Sequence, residues 1–359
     1  MTSRSEPGRA SIVGTGLIGG SLGLALRARG WTVTGTDSDP TTAKRALELG
    51  ALDKIGHDSD ASVTFIATPV AATVPEARRA LARSQAGAVV TDVAGVKEAV
   101  SEQIDHPAFV GGHPMAGSEQ VGLDGADPDL FVGATWVLTP TASTDAAAYA
   151  MVRQVVGSLG AEVVSLSPHQ HDTLVAVVSH VPHLTAATLM NLADRASDQH
   201  AALLRLAAGG FRDMTRVAAG HPGIWPDICA ANSDAIVSTL DELVVELTAV
   251  RERVSSGDRG WLLQVLESAA LARRSLPGAA VRPERLAELR VPVPDRPGVL
   301  AEITTLAGTL GVNISDLEIA HSAEGERGVL VLVVAADSAH VLQEGLADRG
   351  YHSTRRGLE

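Results

Sequence analysis

The stretch from Ala10 to Asp37 restricts the possible folds of this chain more than any other. Ala10-Ser11-Ile12-Val13 reads as a short buried strand and runs into Gly14-Thr15-Gly16-Leu17-Ile18-Gly19. An apolar, helix-like stretch follows to Arg29, and a second strand from Trp31 to Thr36 ends at Asp37. Strand, glycine turn, helix, strand and acid form the context in which such a glycine pattern binds a dinucleotide. The first glycine makes the tight turn, the second lets a pyrophosphate approach the helix N-terminus, and the third lets helix pack on sheet. Asp37 is placed to accept both ribose hydroxyls of NAD and to repel a 2′-phosphate. The next residues, Ser38, Asp39 and Pro40, include no arginine to neutralise that phosphate. The expected cofactor is therefore NAD, held by Gly14, Gly16, Leu17, Ile18, Gly19 and Asp37.

The alternation continues with strands at Val63–Ala67, ending at Thr68-Pro69, and at Ala88–Thr91, ending at Asp92. A helix from about Val96 precedes Phe109-Val110, with later strands at Thr135–Leu138 and Glu162–Val164. Strands alternating with helices predict a doubly wound, mostly parallel sheet over residues 1–166. Its carboxyl ends should bring Gly14, Thr68, Asp92 and His113 to one edge, which adds Thr68 and Asp92 to the cofactor residues. His113 is expected in the loop Gly111-Gly112-His113-Pro114-Met115-Ala116-Gly117-Ser118-Glu119, just after a strand. There a neutral imidazole can take a proton from a hydroxyl.

Only 3% of the chain is aromatic, so its cores must be built from Ala, Val and Leu. The formal net charge of −13 disfavours nucleic acid or an anionic membrane as partner. A single cysteine, Cys229, excludes an intramolecular disulfide and fits a reducing compartment. The polar start, Met1 to Arg9, does not read as a signal peptide, and no apolar run is expected to approach membrane-spanning length. These readings predict a soluble, cytoplasmic protein.

From residue 167 to 282 the strand signals stop. Ala/Leu/Val stretches with helical spacing predict an all-helical domain, apolar over enough surface to pack against a second subunit. Ser179-His180-Val181-Pro182-His183 puts two histidines on one helical face. His169 and His171 lie upstream, but no cysteine or ordered carboxylate set completes a metal site, and none is expected. In Gly209-Gly210-Phe211-Arg212-Asp213-Met214-Thr215-Arg216, Asp213 reads as an N-cap and Arg216 as a first-turn cation, a place that suits anion binding. His221-Pro222-Gly223-Ile224-Trp225-Pro226 is a rigid turn presenting an aromatic. After a linker at Leu276–Pro283, residues 288–359 read β-α-β-β-α with room for a last short strand, a ferredoxin-like unit.

The NAD fingerprint, His-Pro-Met-Ala-Gly, Ser-His-Val-Pro-His and Asp-Met-Thr-Arg, in that order, resemble the prephenate/arogenate dehydrogenase family of tyrosine biosynthesis. Asp295-Arg296-Pro297-Gly298-Val299-Leu300 resembles the opening of an ACT domain, an amino-acid-binding regulatory module. The resemblance implies an α/β Rossmann-type domain, an all-α dimerisation domain and a small ferredoxin-like α+β (ACT) domain. It also implies NAD-dependent oxidative decarboxylation of prephenate by a homodimer. His113 then corresponds to the acceptor of the substrate's hydroxyl proton, and Arg216 to the arginine that grips its carboxylate. Ser179, His183, Glu119, Asp213 and Trp225 match pocket residues, some lent by the partner subunit. An amino-acid effector such as tyrosine would be met at Asp295, Gly298, Val299, Leu300 and Asn313.

Two positions depart from the family pattern. Gly95, in Asp92-Val93-Ala94-Gly95-Val96-Lys97, and Gly220 stand where a serine is usual, which leaves substrate choice between prephenate and arogenate open. A non-catalytic NAD- and amino-acid-binding regulator is a reading of another class, opposed by the His113–Arg216 pair. A generic 3-hydroxyacid dehydrogenase would place a lysine in the helical domain, and no lysine follows Lys97.

Overall fold

The computed structural model describes residues 8–117, 122–197, 203–275, 286–294, 296–321 and 327–357. Glu119 and Asp295 lie outside the described residues, as does the expected linker apart from its approaches. The chain divides into two compact units, Met1–Arg251 and Glu252–Glu359.

The first unit opens with β1 (Arg9–Val13), α1 (Leu17–Ala28), β2 (Thr32–Thr36), α2 (Pro40–Glu48) and β3 (Lys54–Ile55). It continues with β4 (Val63–Ile66), α3 (Val70–Arg83), β5 (Val89–Asp92), the short α4 (Glu98–Ser101) and β6 (Phe109–Pro114). Then come β7 (Thr135–Thr139), α5 (Ala146–Ser158) and β8 (Glu162–Ser165). The eight strands form one sheet in the order β3-β2-β1-β4-β5-β6-β7-β8. All neighbouring pairs are parallel except β6 with β7. Strand order reverses beside β1, so the carboxyl ends of β1 and β4 flank the crevice where doubly wound sheets bind ligands.

The sequence explains the core. β4 and β5 are buried at every position, as central strands covered on both faces of a parallel sheet should be. Ile12, Leu22, Leu26, Phe65, Val110 and Leu138 share one cluster with Phe131 and Trp136, two of the few aromatics. Each such side chain, fully buried, contributes roughly 1.5–3 kcal/mol.

The structure extends β6 further than the sequence suggests. His113 lies within the strand, paired with Val137 of β7, and not in the loop beyond it. Gly111 and Gly112 masked the strand because they lack the β-branched signal. Their lack of a side chain is what the sheet requires there: a Cβ on Gly112 would meet Asp92 O at 2.7 Å.

The helical part of the first unit begins with α6 (Pro168–Val175), a π turn at Ala176–His180 and α7 (Val181–Ser197). Ser167 and Gln170 cap α6 reciprocally. Pro182 has no N–H and its ring opposes an ordinary helical bond, and the π turn ends at His180, two residues before it. The run Pro168–Ser197 is 30 residues long with a mean hydropathy of 1.4 in its most apolar window. It therefore does reach membrane-spanning length, contrary to the sequence expectation, because His171, Asp172, His180 and His183 are diluted among Ala, Val and Leu. Only 28% of that window is buried in the unit.

α8 (Gly209–Thr215), a 3₁₀ turn at Arg216–Ala219, α9 (Trp225–Ala231) and α10 (Ser233–Ser256) follow. The exposed faces are apolar, with Val178 and Val245 each 65% exposed. Contacts join the expected segment 1–166 to the helical segment that follows it, up to Arg251, within the first unit. The reason is a set of buried polar links between them, described below.

The second unit carries the end of α10, α11 (Arg259–Arg274), β9 (Leu286–Pro294), α12 (Val299–Thr309), β10 (Ile314–His321), β11 (Arg327–Ala335), α13 (Ala336–Asp348) and β12 (Thr354–Gly357). From β9 onward the order is β-α-β-β-α-β, with an antiparallel sheet β10-β11-β9-β12. This is the ferredoxin-like unit. Leu289, Val291, Ile303, Leu330, Leu332 and Leu342 are fully buried between its sheet and helices.

Candidate active site

The glycine turn is sterically fixed. Gly14 has φ +92°, and a Cβ there would lie 2.4 Å from Ala67 O. A Cβ on Gly19 would lie 1.9 Å from Gly14 O, so only glycine lets α1 start this close to β1. Gly16 differs: a Cβ there would meet nothing within 4 Å. It faces a cavity of about 750 Å³ lined by Leu17, Ile18, Asp37, Thr68 and Gly95 among others. Open space over the middle glycine at a helix N-terminus fits a dinucleotide pyrophosphate. Thr68 Oγ1 is buried and has no hydrogen-bond partner.

Asp37 lies at the cavity and also braces the turn. Its carboxylate accepts the Thr15 N–H at 2.7 Å, the Thr15 hydroxyl at 3.0 Å and the Asp39 N–H at 3.0 Å. Asp92, expected among the cofactor residues, has no exposed surface. Its carboxylate pairs with the fully buried Lys97 ammonium and accepts N–H bonds from Ala94 at 3.0 Å and Gly112 at 3.1 Å. That corrects its placement: Asp92 serves the interior, because the chain after β5 turns back to bury Lys97 beneath it. Burial pushes the Lys97 pKa down, and Asp92 opposes this.

From this base a line of polar groups leads to the candidate proton acceptor. The Asp172 carboxylate accepts the Lys97 N–H at 2.8 Å and the Glu98 N–H at 2.9 Å. It also bonds to His171 Nδ1 at 2.6 Å, and His171 Nε2 lies 2.8 Å from His113 Nδ1. Asn232 Nδ2 donates to Asp172 O at 2.8 Å and lies 3.2 Å from His180 Nδ1. Burial holds the His113 pKa well below the ordinary histidine value, helped by His171, Lys97 and His180. The other ring nitrogen, Nε2, is 3.8 Å from where a Cβ of Gly95, a cavity-lining residue, would be. Gly95 thus leaves room beside the imidazole.

The remaining expected residues form a second group. His183 stacks on Trp225 with ring centroids 3.6 Å apart, and His180 meets the same indole edge-on at 6.1 Å. Burial lowers the pKa values of both histidines. Ser179 is half-buried in the π turn. A Cβ on Gly220 would come within 3.6 Å of His183 Cε1. Asp213 and Arg216 are exposed. Neither has the helix position expected: α8 starts at Gly209, so Asp213 is inside it and Arg216 follows its last residue. The two glycines form the first turn and do not precede it. Arg216 therefore sits at a C-terminal helix end, where a cation is favoured, and not at the helix N-terminus expected.

In the second unit Gly298 has φ +91° and caps α12, Leu300 is 38% exposed and Asn313 is exposed. The Val299 side chain is buried in the core, leaving only its backbone to meet a ligand.

Residues 22–165 match the family described as prephenate dehydrogenase, nucleotide-binding domain, and residues 167–268 match prephenate dehydrogenase, dimerization domain. Prephenate dehydrogenase of Bacillus subtilis is 35% identical over 344 residues, covering 91% of this chain and 92% of that protein. The chain belongs to the prephenate dehydrogenase family. Two solved structures of similar proteins bracket its substrate question. Prephenate dehydrogenase from A. aeolicus, in complex with hydroxyphenyl propionate and NAD+, superposes with TM-score 0.72 at 28% identity, covering 77% of this chain and 100% of that one. Synechocystis arogenate dehydrogenase gives TM-score 0.65 at 33% identity, covering 74% of this chain and 98% of that one.

The inward-facing half of the site was missed by sequence reading. His171, Asp172, Lys97 and Asn232 are scattered over residues 97–232, and no local pattern joins them. The one available signal was a His-Asp pair inside a capped, otherwise apolar helix.

Proposed function

We propose that this chain is an NAD-dependent prephenate dehydrogenase that works as a homodimer. The observation that carries the reading is His113 itself: a neutral imidazole whose Nε2 lies beside Gly95, one of the residues lining the cavity along the glycine turn. Prephenate has a ring hydroxyl on a carbon that can give up a hydride. Gly14, Gly16, Leu17, Ile18 and Gly19 would hold NAD by its pyrophosphate, and its nicotinamide would supply the hydride acceptor. Asp37 would meet the ribose hydroxyls and disfavour a 2′-phosphate, and Thr68 offers its unpartnered hydroxyl. His113 Nε2 takes the hydroxyl proton as the carbonyl forms. Loss of the ring carboxylate as CO2 sends its electron pair into the ring. The oxygen recovers the proton from His113 as the ring becomes aromatic. The products are 4-hydroxyphenylpyruvate, CO2 and NADH.

Arg216 is read as the group that grips the side-chain carboxylate, with Asp213, Ser179, His183 and Trp225, and with Glu119 at the pocket mouth. The homodimer is supported by the exposed apolar residues of the π turn and α10 and by the family to which residues 167–268 belong. A reducing cytoplasmic setting agrees with the lone Cys229.

Arogenate is the second substrate reading, supported by the likeness to the Synechocystis enzyme. NADH formation, followed by absorbance with prephenate and arogenate in parallel, tests both. A higher kcat/KM with arogenate would reverse the preference, and no NADH from either would reject dehydrogenase function.

The ferredoxin-like unit is read as an ACT domain that takes tyrosine at Asp295, Gly298, Val299, Leu300 and Asn313. Deleting residues 284–359 should then relieve tyrosine inhibition measured at saturating prephenate. Equal inhibition of full and shortened chains would reject this role.

A further inference from the structure

We infer that His171 and Asp172 are positioning residues that fix which ring nitrogen of His113 carries its hydrogen. The inference rests on the reading of His113 as proton acceptor. Both residues are essentially fully buried, and neither is placed to touch a ligand in the cavity.

The argument follows hydrogens along the line. An ionised carboxylate only accepts, and that of Asp172 already holds the Lys97 and Glu98 N–H groups. The His171 Nδ1 that lies 2.6 Å away must therefore donate to it. With His171 in its neutral form the ring has only that one N–H, and Nε2 is left bare. It can only accept, so His113 Nδ1, at 2.8 Å, must donate. His113 Nε2 is then the bare, basic nitrogen, beside Gly95 of the cavity lining. The opposite tautomer would direct an N–H at the substrate oxygen and could not take its proton.

The same line supports the charge that appears in the reaction. When Nε2 accepts the hydroxyl proton, His113 becomes a cation and its Nδ1–H···His171 bond becomes charge-assisted. The charged and titratable groups around His113 are Lys97 before α4, His171 on α6 and His180 in the π turn. Burial, Lys97 and His180 oppose a cation there, and the neutral His171 as acceptor, with the Asp172 carboxylate behind it, offsets that opposition. The backbone of Lys97 and Glu98 joins the sheet to α6 through Asp172. The docking of the helical segment on the nucleotide-binding segment thereby sets the state of the imidazole.

The test uses the full-length protein with ring-¹⁵N-labelled histidine. At neutral pH the His113 resonances, assigned by their loss in His113→Asn, should report hydrogen on Nδ1 and a bare Nε2. In His171→Gln a side-chain carbonyl can still accept from His113, so the tautomer should persist, with kcat within about tenfold of wild type. In His171→Phe the acceptor is gone. There kcat should fall about 10²-fold or more, at the low end of what a general base supplies, with NAD affinity by fluorescence titration retained. Hydrogen on Nε2 of wild-type His113 would overturn the inference. So would equal losses of kcat in the Gln and Phe variants, which would indicate packing alone. If His171→Phe fails to fold, the tautomers of wild type and His171→Gln decide. The tautomer needs no turnover, so failure to form NADH from either substrate would reject the proposed function separately from this inference.

Discussion

His113 and Arg216, proposed for opposite ends of the same reaction, sit in different settings. His113 is on a strand, backed by buried His171, Asp172, Lys97 and Asp92, and its partners all come from within the unit. Arg216 is exposed on a 3₁₀ turn after a seven-residue helix, next to the exposed Met214 and Val217. The difference separates a preorganised centre from a gripping surface. The proton acceptor needs a fixed tautomer and a dry environment, which a buried network supplies. A carboxylate grip needs reach and access, and here it sits among the apolar faces read as the dimer contact. Damage to the first region should therefore appear in stability and kcat, and damage to the second in KM.

Lys97→Met is the harshest way to break this comparison. It would leave the Asp92 carboxylate buried without its counter-ion, at a cost of about 3–5 kcal/mol. Equilibrium denaturation of wild type and variant measures it. A loss below about 1 kcal/mol would mean that the buried pair is not what holds the strand ends together.

Arg216→Ala should do the converse. KM for prephenate should rise at least about tenfold, equivalent to roughly 1.4 kcal/mol, while stability changes by no more than about 0.5 kcal/mol, as for a surface substitution. A large drop in melting temperature with little change in KM would give Arg216 a structural role.

The two regions also differed in how far the sequence revealed them. The glycine turn, its strands and Asp37 were legible because a local order of strand, turn and helix carries the chemistry. The ferredoxin-like order was legible from apolar periodicity and turn residues. His113 could be picked out, but not its place inside β6, because Gly111 and Gly112 carry no strand signal. Asp213 and Arg216 were placed wrongly because two glycines looked like a helix stop and instead form a helix start. The His171–Asp172 support was illegible for a deeper reason. It joins residues 58 positions apart, His113 and His171, through tertiary packing alone.

A smaller effect sharpens the contrast through pH. Burial, His171, Lys97 and His180 all lower the His113 pKa below the ordinary 6.5. The acceptor must be neutral, so kcat should stay level through the usual histidine range and fall only at lower pH. Profiles of kcat at saturating substrate and NAD measure this. An acid limb centred above 6.5 would place the titrating group elsewhere or show that the imidazole is not desolvated.

The central claim is that His113 accepts the proton within a preformed site. Its most direct test is the rate of NADH formation by His113→Asn at saturating prephenate, alongside direct titration of NAD binding. The account predicts a kcat lower by about 10²–10⁴-fold with NAD affinity essentially retained. A variant that turns over at a near-normal rate, with NAD bound as in wild type, would contradict it.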